Sequence, residues 1–292
     1  MPTLRYKAIT KRDFDTILSR YPSIVPDKLR QLDQLRYESI PATAAQRKAA
    51  QRDDGESTFL RKEEVEKLVE WKLSHGTFRP KLLQLVLSNE ASAIEKATRD
   101  AFETISPHAQ QDQQQDRKKG DAPLKAATQH LTSLRGIGPA TASLLLSVQY
   151  PDTIPFFSDE LFRWVMWDEK DGGGKMGKWK RQIKYNGKEY DELAQRVGDL
   201  VGRLGVRAID CERVAWVLGK EGVDLDSDAD VQGGEGESKD TLGEEEDGEG
   251  VKGVDEATVQ KEKKKGTKRK VVEGNGQPVE GVRRSTRRKK EV

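Results

Sequence analysis

The sequence predicts an all-α domain followed by a long disordered C-terminal tail, and three observations predict it. Apolar residues in the middle of the chain recur every three or four positions, which gives a helix one apolar face. Strand-like alternation of apolar and polar residues never extends beyond four or five positions. After residue 222, large apolar side chains become rare while glycine and charged residues accumulate, a composition that buries too little surface to fold.

The helical domain is expected to span residues 58–222, after a polar, partly helical N-terminal arm at 1–57. In its first helix, Val65, Leu68 and Val69 lie on one apolar stripe. A polar, Gln-rich stretch within 106–122 indicates an exposed insertion. The predicted helices cover 58–74, 80–88, 91–104, 123–131, 139–149, 159–167, 188–204 and 210–220.

The scarcity of cysteine and histidine limits the chemistry that the chain is expected to perform. Cys211 is the only cysteine, which argues against a disulfide or an iron–sulfur cluster and favours a core thiol. His75, His108 and His130 show no metal-ligand spacing. No metal site is therefore expected. Neither a signal peptide nor an apolar run near the ~18 residues of a membrane span is found, so we expect an intracellular protein without membrane contact.

The tail divides its charge into two blocks. Residues 224–256 carry 14 acidic and 2 basic side chains, whereas residues 257–292 carry 13 basic and 4 acidic ones. Such basic clusters predict nuclear import or a sequence-independent nucleic-acid arm, with import receptors and chromatin as candidate partners; solvated charge without a partner is the alternative. The acidic block could mask the basic one or bind histones. We therefore expect a nuclear protein, in which the import clusters comprise Lys263, Lys264, Lys265, Lys268, Arg269, Lys270, Arg283, Arg284, Arg287, Arg288, Lys289 and Lys290.

The string LRGIGPAT at 134–141 predicts a tight turn between two helices. Gly136 and Gly138 permit a left-handed backbone or the close approach of a partner, and Pro139 suits the first turn of the next helix. Outward backbone N–H groups at a helix start form an anion site suited to a phosphate. The alternative is an ordinary helix corner. The predicted phosphate-binding residues are Gly136, Ile137, Gly138, Ala140 and Thr141, with Ile137 also packing inward and a monovalent cation as a candidate ligand.

This string resembles the helix-hairpin-helix motif, and its surroundings resemble the helix-hairpin-helix DNA glycosylase superfamily. In that superfamily the hairpin grips a DNA phosphate, and a catalytic Asp follows it at the start of a helix. Here Asp159 lies 21 residues after Gly138, in IPFFSDELFRW. The resemblance implies that Asp159 stabilises the cation-like sugar that forms as a damaged base leaves. The alternative is that Ser158 or Asp159 only caps the helix.

The same resemblance limits the reaction. Bifunctional members carry a lysine two residues after the second hairpin glycine, where this chain has Ala140. A lysine could form a Schiff base with the sugar, whereas alanine cannot. The resemblance therefore implies a monofunctional base-excision glycosylase without lyase activity, acting on DNA without a cofactor.

Further contacts to DNA are predicted on weaker grounds. The segment LVLSNEAS at 85–92 resembles the superfamily's segment that fills the gap left by a flipped base, which places Asn89 against DNA; the alternative is a plain helix end with an Asn turn. Trp164 and Phe157 are candidates to line a base pocket, because flipped bases stack between aromatic rings; packing in the core is the alternative. A Gly/Lys loop offers Lys175, Lys178 and Lys180 to phosphates.

Two other functions remain open. The chain could be a non-catalytic DNA- or chromatin-binding module of the same fold, which needs only a basic surface around the hairpin. It could also be a helical interaction scaffold without DNA affinity, in which LRGIGPAT is a plain corner.

Overall fold

A computed structural model describes residues 4–50, 58–76, 79–105, 121–170 and 177–226. Within these ranges the regular elements are helical and no β-strand occurs, which confirms the predicted all-α class. A π-helical turn at Leu35–Ser39 joins α2 to α3, and a 3₁₀ turn spans Lys178–Lys180. The α-helices are α1 (Lys11–Ile24), α2 (Asp27–Gln34), α3 (Ile40–Ala50), α4 (Lys62–His75), α5 (Pro80–Leu87), α6 (Ala91–Ile105), α7 (Asp121–Thr132), α8 (Pro139–Gln149), α9 (Asp159–Val165), α10 (Gly187–Leu204) and α11 (Ala208–Lys220).

The buried side chains form two clusters. The first contains residues of α1 and α9–α11, and the second contains residues of α4, α6, α7 and α8. Helix α8 contributes Ala140 to the first cluster and Leu144 to the second. The segment before α9 likewise places Phe156 in the second cluster and Phe157 in the first. The hairpin helix and the approach to Asp159 therefore both lie where the two clusters meet.

The N-terminal segment differs from the predicted polar arm. Ile9, Phe14 and Ile17 are completely buried in the first cluster. Thr10 caps α1, since its hydroxyl accepts a hydrogen bond from the Asp13 N–H at 3.1 Å. The apolar stripe of α1 is set among charged residues, so composition indicated a partly helical arm but did not reveal that this helix packs into the core along one face.

The described part of the chain also extends past the predicted end of the domain at 222. Leu225 is buried in the first cluster, and Arg5 pairs with Asp226. Residues 106–120, Lys175 and everything beyond residue 226, including both basic clusters, lie outside the described residues. None of the described helices is long and apolar enough to cross a membrane.

A buried ion pair joins the π-helical turn to α11. Arg36 and Glu212 are fully buried, with 3.7 Å between Nη2 and Oε2. Arg36 Nη2 also donates to the Ser147 hydroxyl of α8 at 2.6 Å, and the Tyr37 hydroxyl donates to Glu212 at 3.2 Å. Burial raises the pKa of Glu212 to about 7. Removing either charge would leave the other buried without its partner, which is more costly than removing both.

Candidate functional site

The hairpin at 134–141 requires glycine at position 136. Gly136 has φ +76°, in the left-handed region that other residues resist. A Cβ built there would lie 2.9 Å from the Cβ of Leu85 and 3.1 Å from the backbone nitrogen of Val86. The turn therefore packs against the end of α5, and a side chain at 136 would push the two apart.

Gly138 has no such requirement. Its backbone is extended, with φ −98° and ψ −179°, a conformation that any residue adopts. A Cβ at this position would meet no atom within 4 Å, and the residue is exposed. Nothing in the described structure excludes a side chain here, so glycine at 138 leaves the backbone open to close approach from outside.

Three backbone amides at the turn favour an anion-binding surface, because they have no internal hydrogen-bond acceptor among the described residues. The N–H groups of Gly136, Gly138 and Ala140 donate no hydrogen bond within the described ranges. The Ile137 and Thr141 amides, which were also predicted to bind phosphate, instead donate to the carbonyls of Leu134 at 3.2 Å and Gly138 at 3.0 Å. Those two bonds close the turn and leave the amides of 136, 138 and 140 without an acceptor among the described residues, although Ala140 itself is buried.

Asn89 braces this turn instead of facing DNA as predicted. It is 8% exposed. Its Nδ2 donates to the Arg135 carbonyl at 2.9 Å, and its Oδ1 accepts the Arg135 N–H at 2.9 Å. The pair ties the α5–α6 junction to the hairpin. Beside it, the side chain of Leu85 is 48% exposed. Among the residues that the structure describes, it is the one large apolar side chain that is exposed.

Asp159 lies at the start of α9, close to the hairpin helix. The Phe157 N–H donates to the Ser143 hydroxyl at 2.9 Å, and Ser143 lies in the first turns of α8. Ser158 is the N-cap, since its hydroxyl accepts the Leu161 N–H at 3.2 Å. Ser158 therefore provides the N-cap of α9. Capping does not explain why residue 159 carries a carboxylate.

Tyr185 orients the Asp159 carboxylate. Its hydroxyl donates to Oδ1 at 2.7 Å, and Arg163 Nη2 lies 3.5 Å from Oδ2. Burial, and then the hydrogen bond to Asp159, raises the pKa of Tyr185 to about 12. Tyr185 has φ +55°, a strained conformation for a bulky side chain. Glu189 holds this conformation by accepting the Tyr185 N–H at 2.8 Å.

A small cavity lies beside Asp159, formed by residues of both core clusters. Its volume is about 30 Å³, which is enough for a water molecule but not for a nucleobase. Arg79 forms part of its wall, and the Arg79 guanidinium lies over the Tyr185 ring at 4.8 Å. The lining includes Lys72, His75, Arg79, Phe157, Asp159 and Tyr185.

Two residues of the cavity, both in the last turn of α4, carry no sequence signal that marks them as site residues. His75 is stacked between the rings of Trp71, at 4.4 Å, and Trp216, at 4.9 Å. Its Nε2 is buried and has no hydrogen-bond partner among the described residues, so a water in the cavity can bond to it. For Lys72, burial and then the charge of Arg79 lower the pKa to about 8, against the opposing attraction of Asp159.

His75 is expected to make the fold sensitive to acid. Burial lowers its pKa to about 3, assisted by Lys220 and Arg36, from an ordinary value of 6.5. The folded chain therefore resists a proton that the unfolded chain accepts, so stability is lost as the pH falls from 6.5 towards 3. The loss at pH 5 is about 2 kcal/mol.

This loss is measurable as the difference between the urea-unfolding free energies at pH 7.5 and pH 5. His75→Phe, which keeps the stacking between the two tryptophans, is expected to remove that part of the difference. Glu212 has a raised pKa and acts in the opposite direction, but it is common to both proteins. An equal pH difference in wild type and variant would contradict the prediction.

The remaining predicted site residues divide between core and surface. Trp164 is completely buried and its Nε1 donates to the Leu4 carbonyl at 2.9 Å, so it is a core residue and not a base-pocket wall. Phe157 is buried but lines the cavity. Lys178 is paired with Asp226 at 2.6 Å, which occupies its charge, whereas Lys180 is exposed. Within the described ranges, no group of three or more His, Cys, Asp or Glu side chains could hold a metal ion.

Comparison with family models, with curated proteins and with solved structures finds no match to this chain. The functional interpretation therefore depends on the geometry described above. Its elements are a hairpin with three amides that donate no hydrogen bond within the described ranges, a carboxylate hydrogen-bonded by a tyrosine hydroxyl, and a cavity that adjoins that carboxylate.

Proposed function

We propose that this protein binds DNA through the hairpin and excises a base by hydrolysis at Asp159, as a divergent helix-hairpin-helix DNA glycosylase. The observation that carries the proposal is the link between the two parts. Asp159 lines a cavity, and the residue two positions before it is hydrogen-bonded to the hairpin helix through Ser143. The proposal places a phosphate at the hairpin and a sugar of the same DNA strand at Asp159.

The hairpin supports phosphate binding by backbone contacts. The N–H groups of Gly136, Gly138 and Ala140 have no internal acceptor in the described ranges, and they lie at the positive end of an 11-residue helix. Gly138 presents no side chain between these amides and a ligand. Arg135 is exposed beside them and adds a positive charge.

The cavity supports hydrolysis at a sugar carbon. Departure of a base leaves positive charge on the deoxyribose, which a carboxylate in a water-poor site stabilises. The Tyr185 hydroxyl fixes the orientation of that carboxylate, and the unpartnered Nε2 of neutral His75 can hold a water. Attack by this water on C1′ completes the hydrolysis. Its proton passes to Asp159, and the base leaves with the electron pair of the glycosidic bond.

Base entry requires the cavity to widen. Arg79 is exposed and its guanidinium lies over the Tyr185 ring at 4.8 Å, so the proposal assigns the widening to rotation of this side chain. Phosphates of bound DNA attract the same guanidinium. DNA binding and cavity opening would then be coupled through Arg79.

The proposal is tested by incubating the protein with duplexes that each carry one deaminated, alkylated or oxidised base, and measuring the free base released. Binding is measured on the same duplexes at several salt concentrations, because phosphate contacts weaken as salt rises. Release from at least one lesion, together with salt-sensitive binding, is expected. Absence of both activities would refute the proposal.

Leu85 is expected to fill the stack that a flipped base leaves. Apolar side chains beside a backbone-binding element can enter a base step, and Leu85 is exposed next to Gly136. Leu85→Ser is expected to slow base release several-fold from a paired duplex, with little effect on the same lesion in single-stranded DNA. Leu87→Ser, two residues further along the same helix and half-buried, serves as a control for loss of a leucine side chain from this helix. Equal slowing on both substrates would contradict this role.

A non-catalytic DNA-binding module is the second candidate, and the size of the cavity favours it. A volume of about 30 Å³ admits water but excludes a base as the side chains stand. Salt-sensitive binding without release from any lesion in the panel would select this candidate and leave Asp159 with a structural role.

A further inference from the structure

Three side chains from separate elements converge on the carboxylate of Asp226. Its Oδ1 accepts hydrogen bonds from Trp167 Nε1 at 2.9 Å and from the Arg5 guanidinium. Its Oδ2 accepts from the Lys178 ammonium at 2.6 Å. Arg5 precedes α1, Trp167 follows α9, and Lys178 begins the 3₁₀ turn. A guanidinium, an ammonium and an indole N–H thus form one anion site, and the two cations are those with which proteins bind phosphate.

Lys178 is the member of this anion site that the sequence predicts to contact phosphate. Its Nζ also lies 3.3 Å from Oδ1 of Asp224, and the Asp226 N–H donates to that same oxygen at 3.1 Å. Lys178 has φ +45°, in the left-handed region that long side chains rarely adopt. Residues strained in this way occur frequently at ligand sites. The Lys178 ammonium is therefore held by two carboxylates at a position where a ligand is expected.

The segment that carries the two carboxylates is anchored by other contacts. Leu225, which lies between them, is buried in the first cluster, and the Val223 carbonyl accepts from Trp179 Nε1 at 2.7 Å. The side chains of Asp224 and Asp226 remain 57% and 36% exposed, so their ion pairs contribute little to stability. An external anion can therefore replace these carboxylates while the backbone stays in place.

The charge of the anion site depends on this replacement. The other carboxylate at the site is Asp168, which lies 2.5 Å from the Arg5 guanidinium. With Asp224 and Asp226 in place, three carboxylates surround the two cations of Arg5 and Lys178. Without those two, one carboxylate remains and the site is positive. An anion with oxygens at the position of the Asp226 carboxylate would then be attracted.

We propose that the anion site binds a phosphate of the DNA backbone, and that Asp224 and Asp226 compete with DNA for it. This inference rests on the proposed function, since it adds a second phosphate contact to the same protein. Asp159 begins α9 and the anion site lies beyond the other end of that seven-residue helix, which is about 10 Å long. One strand of B-DNA carries about three phosphates over that length.

The competition also gives a role to the start of the acidic block at 224–256. Asp224 and Asp226 are its first two acidic residues, and they screen a basic site of the helical domain. DNA must displace them before it gains the contact, so these carboxylates lower the affinity for any duplex, whatever its sequence. Their effect should weaken as salt rises, because both the ion pairs and the phosphate contact are electrostatic.

The test is gel-shift affinity of the full-length protein for an undamaged duplex at several salt concentrations. The double variant Asp224→Asn/Asp226→Asn is expected to bind about five- to ten-fold more tightly at low salt, with a salt slope steeper by about one phosphate contact. Lys178→Gln should remove this gain when it is added to the double variant. It should weaken binding less in wild type, where the two carboxylates already hold the ammonium.

Asp15→Asn/Asp27→Asn is the matched control, because it makes the same change in net charge. Asp15 and Asp27 are exposed and pair with Lys11 and Arg30, and their replacement is expected to change affinity by less than about two-fold. Thermal unfolding with inorganic phosphate, at constant ionic strength, examines the site without DNA. Phosphate should raise the Tm of the double variant and lose this effect when Lys178→Gln is added.

The outcomes separate this inference from the proposed function. Wild type that binds the duplex as tightly as the double variant overturns the inference alone. An equal gain in the control, or a gain that persists with Lys178→Gln, would be an effect of net charge and overturns it as well. Stabilisation by phosphate without a gain in DNA affinity would assign the site to a free phosphate group and not to DNA. Failure of wild type and double variant alike to bind DNA refutes the proposed function, and this inference with it.

Discussion

Replacing Asp159 by asparagine is expected to lower the rate of base release by about 10²–10³-fold while leaving DNA affinity unchanged. The amide has nearly the shape of the carboxylate and still offers an oxygen to the Tyr185 hydroxyl, so the local structure should persist. What is lost is the negative charge that stabilises the cationic sugar and accepts the proton of the attacking water. Single-turnover release and gel-shift affinity, measured on the same preparation, test both parts.

Asp152→Asn is the matched control for this prediction. Asp152 is exposed, pairs with Arg207 at 2.7 Å and precedes Asp159 by seven residues, so the same chemical change is made outside the cavity. It is expected to leave release within about two-fold of wild type, since an exposed ion pair contributes little. Release by Asp159→Asn at the wild-type rate would remove the carboxylate from the mechanism.

The helices could be predicted because their signals are local. The pattern in 58–74 depends on residues three and four positions apart, and α4 occupies Lys62–His75. Pro80 begins α5 where the sequence predicts a helix start. The N-terminal segment could not be placed in this way, since the burial of Phe14 and Ile17 depends on α11, which lies some 200 positions later in the chain.

The residues of the candidate site differ in the same way, since some carry a local sequence signal and others depend on contacts far along the chain. The hairpin and Asp159 were recognisable as short strings with a fixed spacing. Lys72 and His75 belong to a helix whose apolar stripe gave no sign that its last turn would meet Asp159. Tyr185 was equally hidden, because its hydrogen bond to Asp159 crosses 26 positions and depends on a left-handed backbone in a loop. Asn89 shows the reverse error, since a polar residue near a motif proved to be its internal brace.

Gly138→Asp is expected to weaken DNA binding by roughly 100-fold at low salt while leaving the fold intact. A carboxylate at position 138 would lie close to the amides of residues 136, 138 and 140. It would repel a phosphate bound to those amides by several kcal/mol. The fold should tolerate it, because the backbone at 138 is extended and the added atoms meet no neighbour within 4 Å. Gly138 is also the N-cap of α8, where Asp is among the preferred residues. The Tm should therefore stay level or rise as affinity falls.

This opposition between stability and affinity distinguishes a binding surface from a helix corner. Gly198→Asp makes the same change in charge on the exposed face of α10, where an added Cβ also meets nothing within 4 Å, and it should leave affinity near the wild-type value. Gly138→Ala adds bulk without charge and should weaken binding by less than Asp does. If Gly138→Asp bound DNA as tightly as Gly198→Asp, no phosphate would approach the hairpin, and glycine at 138 would be an accident of a plain turn. A loss confined to Gly138→Asp, in a protein with an undiminished Tm, would instead mean that the open amides of the hairpin are where the DNA backbone is held.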